Sequence, residues 1–263
     1  MTKVFDISRV LLFFVLTFLS CMSVYADGSR DPDAYSDGYI LNAGPYSSEH
    51  HFESINHYDW GVIGQQLEYD GKAGVASYDV EGWYGTAYER VRVKAEGEMD
   101  NRDLAESQTG IFWSHAVSTF WNTQLGARFD THQGGEARQW LGAGIVGLAP
   151  YWFDVEVMAY VGEESRAMVS IDVDYECLLT QRLILQPRFM ADFHVGNDKA
   201  NGLGNGLSDA SLGLRLRYEF SRQLAPYIGV ARIGLFDKTA DFAQQAQEPT
   251  NETRYVAGLR FWF

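Results

Sequence analysis

Residues 209–220 read Asp-Ala-Ser-Leu-Gly-Leu-Arg-Leu-Arg-Tyr-Glu-Phe, and this stretch decides the fold class. Apolar side chains occupy every second position from Ala210 to Phe220, with polar residues or glycine between them. Successive side chains of a β-strand point to opposite faces, so all the apolar side chains share one face, whereas a helix would mix the two sets. The segment therefore predicts a long strand with one apolar and one polar face.

The same alternation recurs earlier in the chain. In residues 89–98 valine and alanine alternate with charged residues, and in residues 166–177 an apolar set from Ala167 to Cys177 alternates with a polar set. This period fits a soluble sandwich whose apolar faces point inward. It also fits a membrane barrel whose apolar face meets lipid and whose charged face lines the lumen.

Three further features favour the membrane barrel. The alternating segments run for about ten residues or more, which suits a tilted membrane strand better than the shorter strand of a soluble sheet. Aromatic residues lie near the segment ends, as in interfacial girdles. Short and long connections alternate. Tight turns are expected near Gly85, Ala116, Pro150, Thr180 and Ser221, and longer loops at 131–136, 196–207 and 237–252. We therefore predict an all-β fold, a transmembrane antiparallel β-barrel of the outer membrane with about twelve strands over residues 60–263.

The N-terminal region predicts export. Lys3 and Arg9 precede an apolar run over residues 10–19, and a stretch with small residues leads to Ala26. Together these features predict a signal peptide over residues 1–26. The apolar run is too short to cross a bilayer as a helix. Residues 27–59 are polar and lack a period, so we expect a short disordered periplasmic tether.

Composition narrows the function classes. The formal net charge is −14, which argues against nucleic acid as a partner and favours cations. Once residues 1–26 are removed, Cys177 is the one cysteine left, so no disulfide framework is expected within the mature chain. No GxSxG, HExxH or Walker loop occurs, and we expect no enzyme. A rival hypothesis is a rim lipase or protease whose Ser, His and Asp come from Ser114 beside His115 and Asp130 beside His132.

The chain ends in another alternating run, residues 253–263, with Phe263 on its apolar face. In known outer-membrane barrels a terminal aromatic residue of this kind is recognised by the assembly machinery. By this resemblance, we expect Phe263 to direct insertion into outer-membrane lipid.

Several ordered segments together resemble the copper resistance protein B family. These are Gln66–Tyr69, Glu81–Tyr84, Gly147–Glu156, Leu178–Arg188, Gly204–Asp209, Leu214–Glu219, Ala225–Tyr227 and Arg254–Phe263. The resemblance implies an outer-membrane barrel of a Gram-negative bacterium that binds copper or moves it across the outer membrane in copper homeostasis. It also implies periplasmic copper-resistance proteins as partners. A passive pore or structural barrel without specific copper binding is the alternative.

The tether departs from the pattern of many family members, which carry a segment rich in methionine and histidine there. This tether has no methionine and offers His50, His51 and His57 with nearby carboxylates. Imidazole and carboxylate groups suit Cu(II), so these histidines are candidate metal ligands. The alternative is a polar tether without a metal.

Parity places Met158, Met168 and Met190 on the lumen face of three successive strands, with His194 on the same face. If the two turns are centred near Glu163 and Leu179, Met168 faces Met158 on one side and Met190 on the other. Thioethers select Cu(I), and His194 would add a nitrogen ligand. The alternative is that the methionines are flexible apolar packing. The charged lumen residues likewise suit either a transport path or an internal network of salt bridges.

Overall fold

The computed structural model describes residues 58–263, apart from 101–102, 134, 164–165 and 222. The expected signal peptide lies outside the described residues. So does the tether up to residue 57, including His50, His51 and His57.

Twelve long strands make up most of the described chain. The first six are β1 (Asp59–Asp70), β2 (Val75–Gly85), β3 (Glu89–Asp100), β4 (Asp103–Ala116), β5 (Trp121–His132) and β6 (Arg138–Ala149). The other six are β7 (Phe153–Gly162), β8 (Ala167–Tyr175), β9 (Leu183–Val195), β10 (Gly206–Tyr218), β11 (Leu224–Leu235) and β12 (Asn251–Trp262). The segment Cys177–Leu178 continues β8 beyond Glu176, because both pieces pair with β9. A 3-10 turn (Pro150–Trp152) follows β6, and helix α1 (Asp237–Gln245) follows β11.

Each strand pairs antiparallel with its neighbours in the chain, and β12 pairs with β1 to close the sheet. At the seam the Val62 amide donates to the Phe263 carbonyl at 2.9 Å, and the Phe263 amide donates to the Val62 carbonyl at 2.8 Å. Closure leaves no open sheet edge, which is the condition for strands to cross a lipid bilayer. The predicted twelve-stranded antiparallel barrel is confirmed.

The two faces of the wall follow the sequence alternation. Leu141 and Ile228 are 66% and 64% exposed on the outside, whereas the inward-facing Phe112, Met158 and Arg217 are only 1–2% exposed. A soluble sandwich would show the reverse arrangement, with aliphatic side chains buried and charged ones outside. The predicted assignment of apolar side chains to the lipid face and charged side chains to the lumen is therefore confirmed.

The connections differ at the two ends of the barrel. Turns of three to five residues join strands at the end that carries the C-terminus, while the other end carries the longer connections 196–205 and 236–250. Outer-membrane barrels have short periplasmic turns and longer external loops, so the long connections mark the external mouth. No helix within the described residues is long and apolar enough to cross a bilayer.

Glycines make room for a buried aromatic ring inside the wall. The ring of Phe112 lies against Gly110, Gly126 and Gly142 on β4, β5 and β6. A Cβ atom added at Gly126 would lie 2.0 Å from the carbonyl oxygen of residue 111 on the neighbouring strand. Even a methyl group at this position therefore requires the wall to move.

We expect Gly126→Ala to lower the free energy of unfolding by about 1–3 kcal/mol, the usual range for an overpacked site. Gly71→Ala is the matched control, because a Cβ atom there meets nothing closer than 4.0 Å. The measurement is the urea concentration at which half of the refolded barrel in detergent is unfolded. The folded fraction is read from heat-dependent gel mobility, which distinguishes folded from unfolded barrels. Equal midpoints for the two variants would contradict the packing described here.

Candidate metal site in the barrel lumen

The inner wall encloses a cavity of about 570 Å³ with an excess of acidic side chains. Fourteen Asp or Glu residues line it, against nine Arg or Lys residues. A lumen with this balance inside a low-dielectric wall concentrates cations and repels anions. The lining thus extends to the interior the acidic character of the whole chain.

Ion pairs cross the lumen between strands that are not neighbours. Arg188 on β9 donates to Asp172 on the adjacent β8 at 3.0 Å and reaches Asp79 on β2 at 3.2 Å. Lys94 on β3 pairs with Glu156 on β7. An internal network of salt bridges, one of the two arrangements considered for the charged lumen residues, is therefore present and connects opposite sides of the barrel.

Four lining carboxylates have neither an ion pair within 4.0 Å nor a side-chain hydrogen bond in the described part of the chain, whereas Asp70 and Asp174 lack an ion pair but accept hydrogen bonds. The four are Glu96, Asp154, Asp192 and Asp209. Asp192 on β9 and Asp209 on β10 lie directly opposite each other in the strand register. Like charges at such a cross-strand pair repel, so a cation between them would be stabilising.

The predicted methionine row is wrong, although all three methionines belong to the lumen face. Met158 faces Ser170, and Met190 faces Asp172. Both turns are centred later than predicted, near residues 164 and 181. The second shift arises because Cys177–Leu178 continue β8 and move the turn to residues 179–182.

Met168 instead faces His194 across β8 and β9, and Tyr160 across β7 and β8. It is 2% exposed and belongs to a buried cluster with Phe112, Trp140, Met158 and Tyr160. Met168, Trp140 and His194 also border the cavity. One thioether and one imidazole therefore lie together at the cavity wall.

A β-bulge orients His194. The register of β10 shifts between the partners of Asp192 and Phe193, which leaves Ser208 without a partner residue on β9. A bulge re-aims the side chain of its extra residue. Ser208 is fully buried, and its Oγ lies 2.7 Å from Nδ1 of His194. The sequence alternation cannot reveal this contact, since it assigns Ser208 to the outer face.

Trp140 also lies in the lumen beside His194, and the sequence alternation alone does not single it out. Its ring centroid lies 6.5 Å from that of His194 at an interplanar angle of 69°, and its Nε1–H donates to Asp130 at 2.9 Å. A Cβ atom at Gly162 would lie 2.8 Å from the Trp140 ring, so this glycine leaves space for the indole to lie across β7. The pairing of Trp140 with Gly162 is the sequence signal that accompanies this arrangement.

The external mouth is partly covered by the external loop, residues 196–205. Arg138 at the start of β6 donates to Asp198 of this loop through two bonds of 2.7 and 2.9 Å. Asn201 bonds to the backbone of Glu136, and Asn201 and Leu203 border the cavity. The hydrogen bonds from Arg138 hold the pKa of Asp198 below its ordinary value.

Two other arrangements bear on the function. Ser114 and His115 are consecutive residues of β4, so their side chains point to opposite faces of the wall, and His115 bonds to Glu89 at 2.7 Å. Within the described residues no group of three or more His, Cys, Asp or Glu side chains is placed to hold a metal ion. Any metal site in the described barrel would therefore include a methionine or fewer than three His, Cys, Asp or Glu ligands.

The closed barrel, its apolar belt and its charged lumen define an integral β-barrel protein of the bacterial outer membrane. The family described as "Copper resistance protein B precursor (CopB)" matches residues 59–263. The chain belongs to the copper resistance protein B family.

Relatives and a solved structure agree with this assignment. The chain is 39% identical over 187 residues to a copper resistance protein B of Escherichia coli, covering 71% of this chain and 63% of the relative. It is 39% identical over 215 residues to a copper resistance protein B homolog of Pseudomonas syringae pv. tomato, covering 81% of this chain and 72% of the relative. The structure of the NanC porin matches with a TM-score of 0.50 and 11% identity, covering 77% of this chain and 99% of the porin. The last likeness concerns the fold alone.

The ion pair between Arg138 and Asp198 predicts that the attachment of the external loop to β6 depends on pH. The pKa of Asp198 is lowered in the folded loop, so its carboxylate is ionised and the ion pair is complete above about pH 4. The ion pair is lost as the pH falls through the lowered pKa. We expect Asp198→Asn to release the loop even at neutral pH and to speed tryptic cleavage after Lys199 severalfold.

The matched control is Asp241→Asn, an exposed aspartate on α1. The rate of cleavage is followed by mass spectrometry of the refolded barrel. Cleavage at the same rate in wild type and Asp198→Asn would show that Arg138 does not hold the loop.

Proposed function

We propose that this barrel binds copper ions in its lumen and passes them across the outer membrane. Membership of the copper resistance family ties the chain to copper resistance, but the binding and movement of the ion are inferences. The observation that carries them is the acid-rich cavity, whose unpaired Asp192 and Asp209 lie near the thioether of Met168 and the imidazole of His194 in the strand register. Copper is the cargo, and the reaction is ligand exchange without a covalent step.

The proposed path uses the two kinds of ligand for different tasks. Carboxylates on a low-dielectric wall attract any cation and raise its local concentration. Thioether and imidazole groups favour copper over the alkali and alkaline-earth ions, which prefer oxygen. On β9 the lumen-facing residues His194, Asp192 and Met190 follow one another at every second position. An ion moving along the lumen would therefore meet both kinds of ligand within a short distance.

Other expected partners remain part of the proposal. His50, His51 and His57 of the tether would collect Cu(II) on the periplasmic side, and periplasmic copper-resistance proteins would exchange the ion with the barrel. Phe263 would be the residue that the assembly machinery recognises. No catalytic step is proposed for the chain.

A passive pore or structural barrel is the second candidate function. The ion pairs that cross the lumen, such as Arg188 with Asp79, favour it because they occupy space and neutralise charge within the cavity. A barrel of this kind would let small solutes through according to size, or none at all, with no preference for copper.

Copper flux through proteoliposomes separates the two functions. For the wild-type barrel we expect copper to enter faster than through liposomes containing an unrelated barrel of similar size. The double change Asp192→Asn and Asp209→Asn should reduce that rate about tenfold, the low end of electrostatic focusing effects. The rate for a small neutral sugar should not change.

The control is the double change Asp241→Asn and Glu248→Gln, which removes two exposed charges from the connection 236–250. If copper enters no faster than through the unrelated barrel, or if both double variants behave alike, the proposed selective path is wrong. The passive or structural barrel would then be the better account.

A further inference from the structure

We propose that Met168, His194 and Trp140 form a site selective for Cu(I) at the wall of the lumen. Met168 would supply a thioether, His194 the Nε2 atom of its imidazole, and Trp140 an aromatic ring beside the ion. This inference rests on the proposed function, because it names the site at which the lumen would bind copper.

The strand register places the two ligands together. Met168 and His194 are directly opposite each other on β8 and β9, and directly opposed side chains have Cβ atoms about 4.5–5.5 Å apart. Both side chains border the cavity. Met190 faces Asp172 instead, and Met158 packs in the buried cluster without bordering the cavity. Of the three lumen methionines, Met168 is therefore the one placed to share an ion with His194.

Ser208 is the hydrogen-bond partner of Nδ1 of His194. Its Oγ lies 2.7 Å from Nδ1 and 3.4 Å from the Gly204 carbonyl oxygen, and in the proposed site Nδ1–H donates to this Oγ. With the proton on Nδ1, the lone pair of a neutral imidazole is on Nε2. No hydrogen bond or ion pair to Nε2 is found among the described residues. A metal-binding histidine usually donates its other ring N–H to a neighbouring group, which fixes the tautomer and the orientation of the ring.

Trp140 is held beside this imidazole by two independent features. Asp130 accepts the indole N–H at 2.9 Å, and the open backbone at Gly162 lets the ring lie towards β8 and β9. An aromatic ring face attracts a nearby cation, and tryptophan does so most strongly. The accepted hydrogen bond to a carboxylate adds electron density to the indole, which increases that attraction.

The surroundings favour Cu(I) over divalent ions. Met168, Phe112 and Tyr160 make this part of the wall apolar, and the thioether is a soft ligand. The unpaired carboxylates Asp192 and Asp209 lie one position along the same face, where harder cations find oxygen ligands.

The test uses the refolded mature barrel in detergent, with Cu(I) affinity measured by competition with a chromogenic chelator. We expect Met168→Leu and His194→Asn each to weaken Cu(I) binding tenfold or more. Met158→Leu and Met190→Leu are matched controls, which should stay within twofold of wild type. Ag(I), a redox-inert substitute for Cu(I), should quench tryptophan emission in wild type, and Trp140→Phe should lose that quenching.

A second measurement needs no variant. With methionine Cε methyls labelled, adding one equivalent of Ag(I) should shift the NMR signal of Met168 and leave those of Met99, Met158 and Met190 in place. Tight Cu(I) binding that survives Met168→Leu, or an Ag(I) shift at another methionine, would overturn this site while leaving a copper-binding lumen intact. Failure of the wild-type barrel to bind Cu(I) while it binds Cu(II) would overturn this site alone, and failure to bind either ion would overturn the proposed function as well.

Discussion

The hydrogen-bonded seam between β12 and β1 is the constraint on which the rest of the structure depends. Backbone groups left unpaired in hydrocarbon cost several kcal/mol each, so a sheet can cross the membrane only if it closes on itself. Closure fixes an outer face in lipid and an inner face that must accommodate everything polar. Val62 and Phe263 complete this ring at the chain terminus, and each feature of the lumen follows from being on its inner side.

Charged groups confined to a narrow lumen must find partners, and most of them do. Arg188, Arg215 and Lys94 each pair with carboxylates, some of them across the barrel. Removing one member of such a pair leaves the other charge uncompensated, which is costly. The acidic excess means that some carboxylates have no cationic partner in the described chain, and Asp192 and Asp209 face each other directly. Confinement in the lumen therefore also leaves uncompensated negative charge near Met168 and His194.

The alternation of side chains was enough to predict the strands, their two faces and their number, because a period of two does not depend on how strands pair. Pairing depends on turn centres. The β7–β8 turn is centred one residue later than predicted, and the β8–β9 turn two residues later, because Cys177–Leu178 extend β8. The contact between Ser208 and His194 needs a bulge that no alternation shows, and the position of Trp140 needs the space at Gly162. These features arise from neighbouring strands, so one segment of sequence does not contain them. The tether histidines lie outside the described residues and remain predictions.

The most direct test of the central claim is X-ray absorption at the copper edge for the barrel loaded with one equivalent of Cu(I). A lumen site of Met168 and His194 predicts both sulfur and imidazole nitrogen around the ion, with the sulfur contribution lost in Met168→Leu. A spectrum that shows only oxygen and nitrogen ligands in the wild-type barrel would contradict the account.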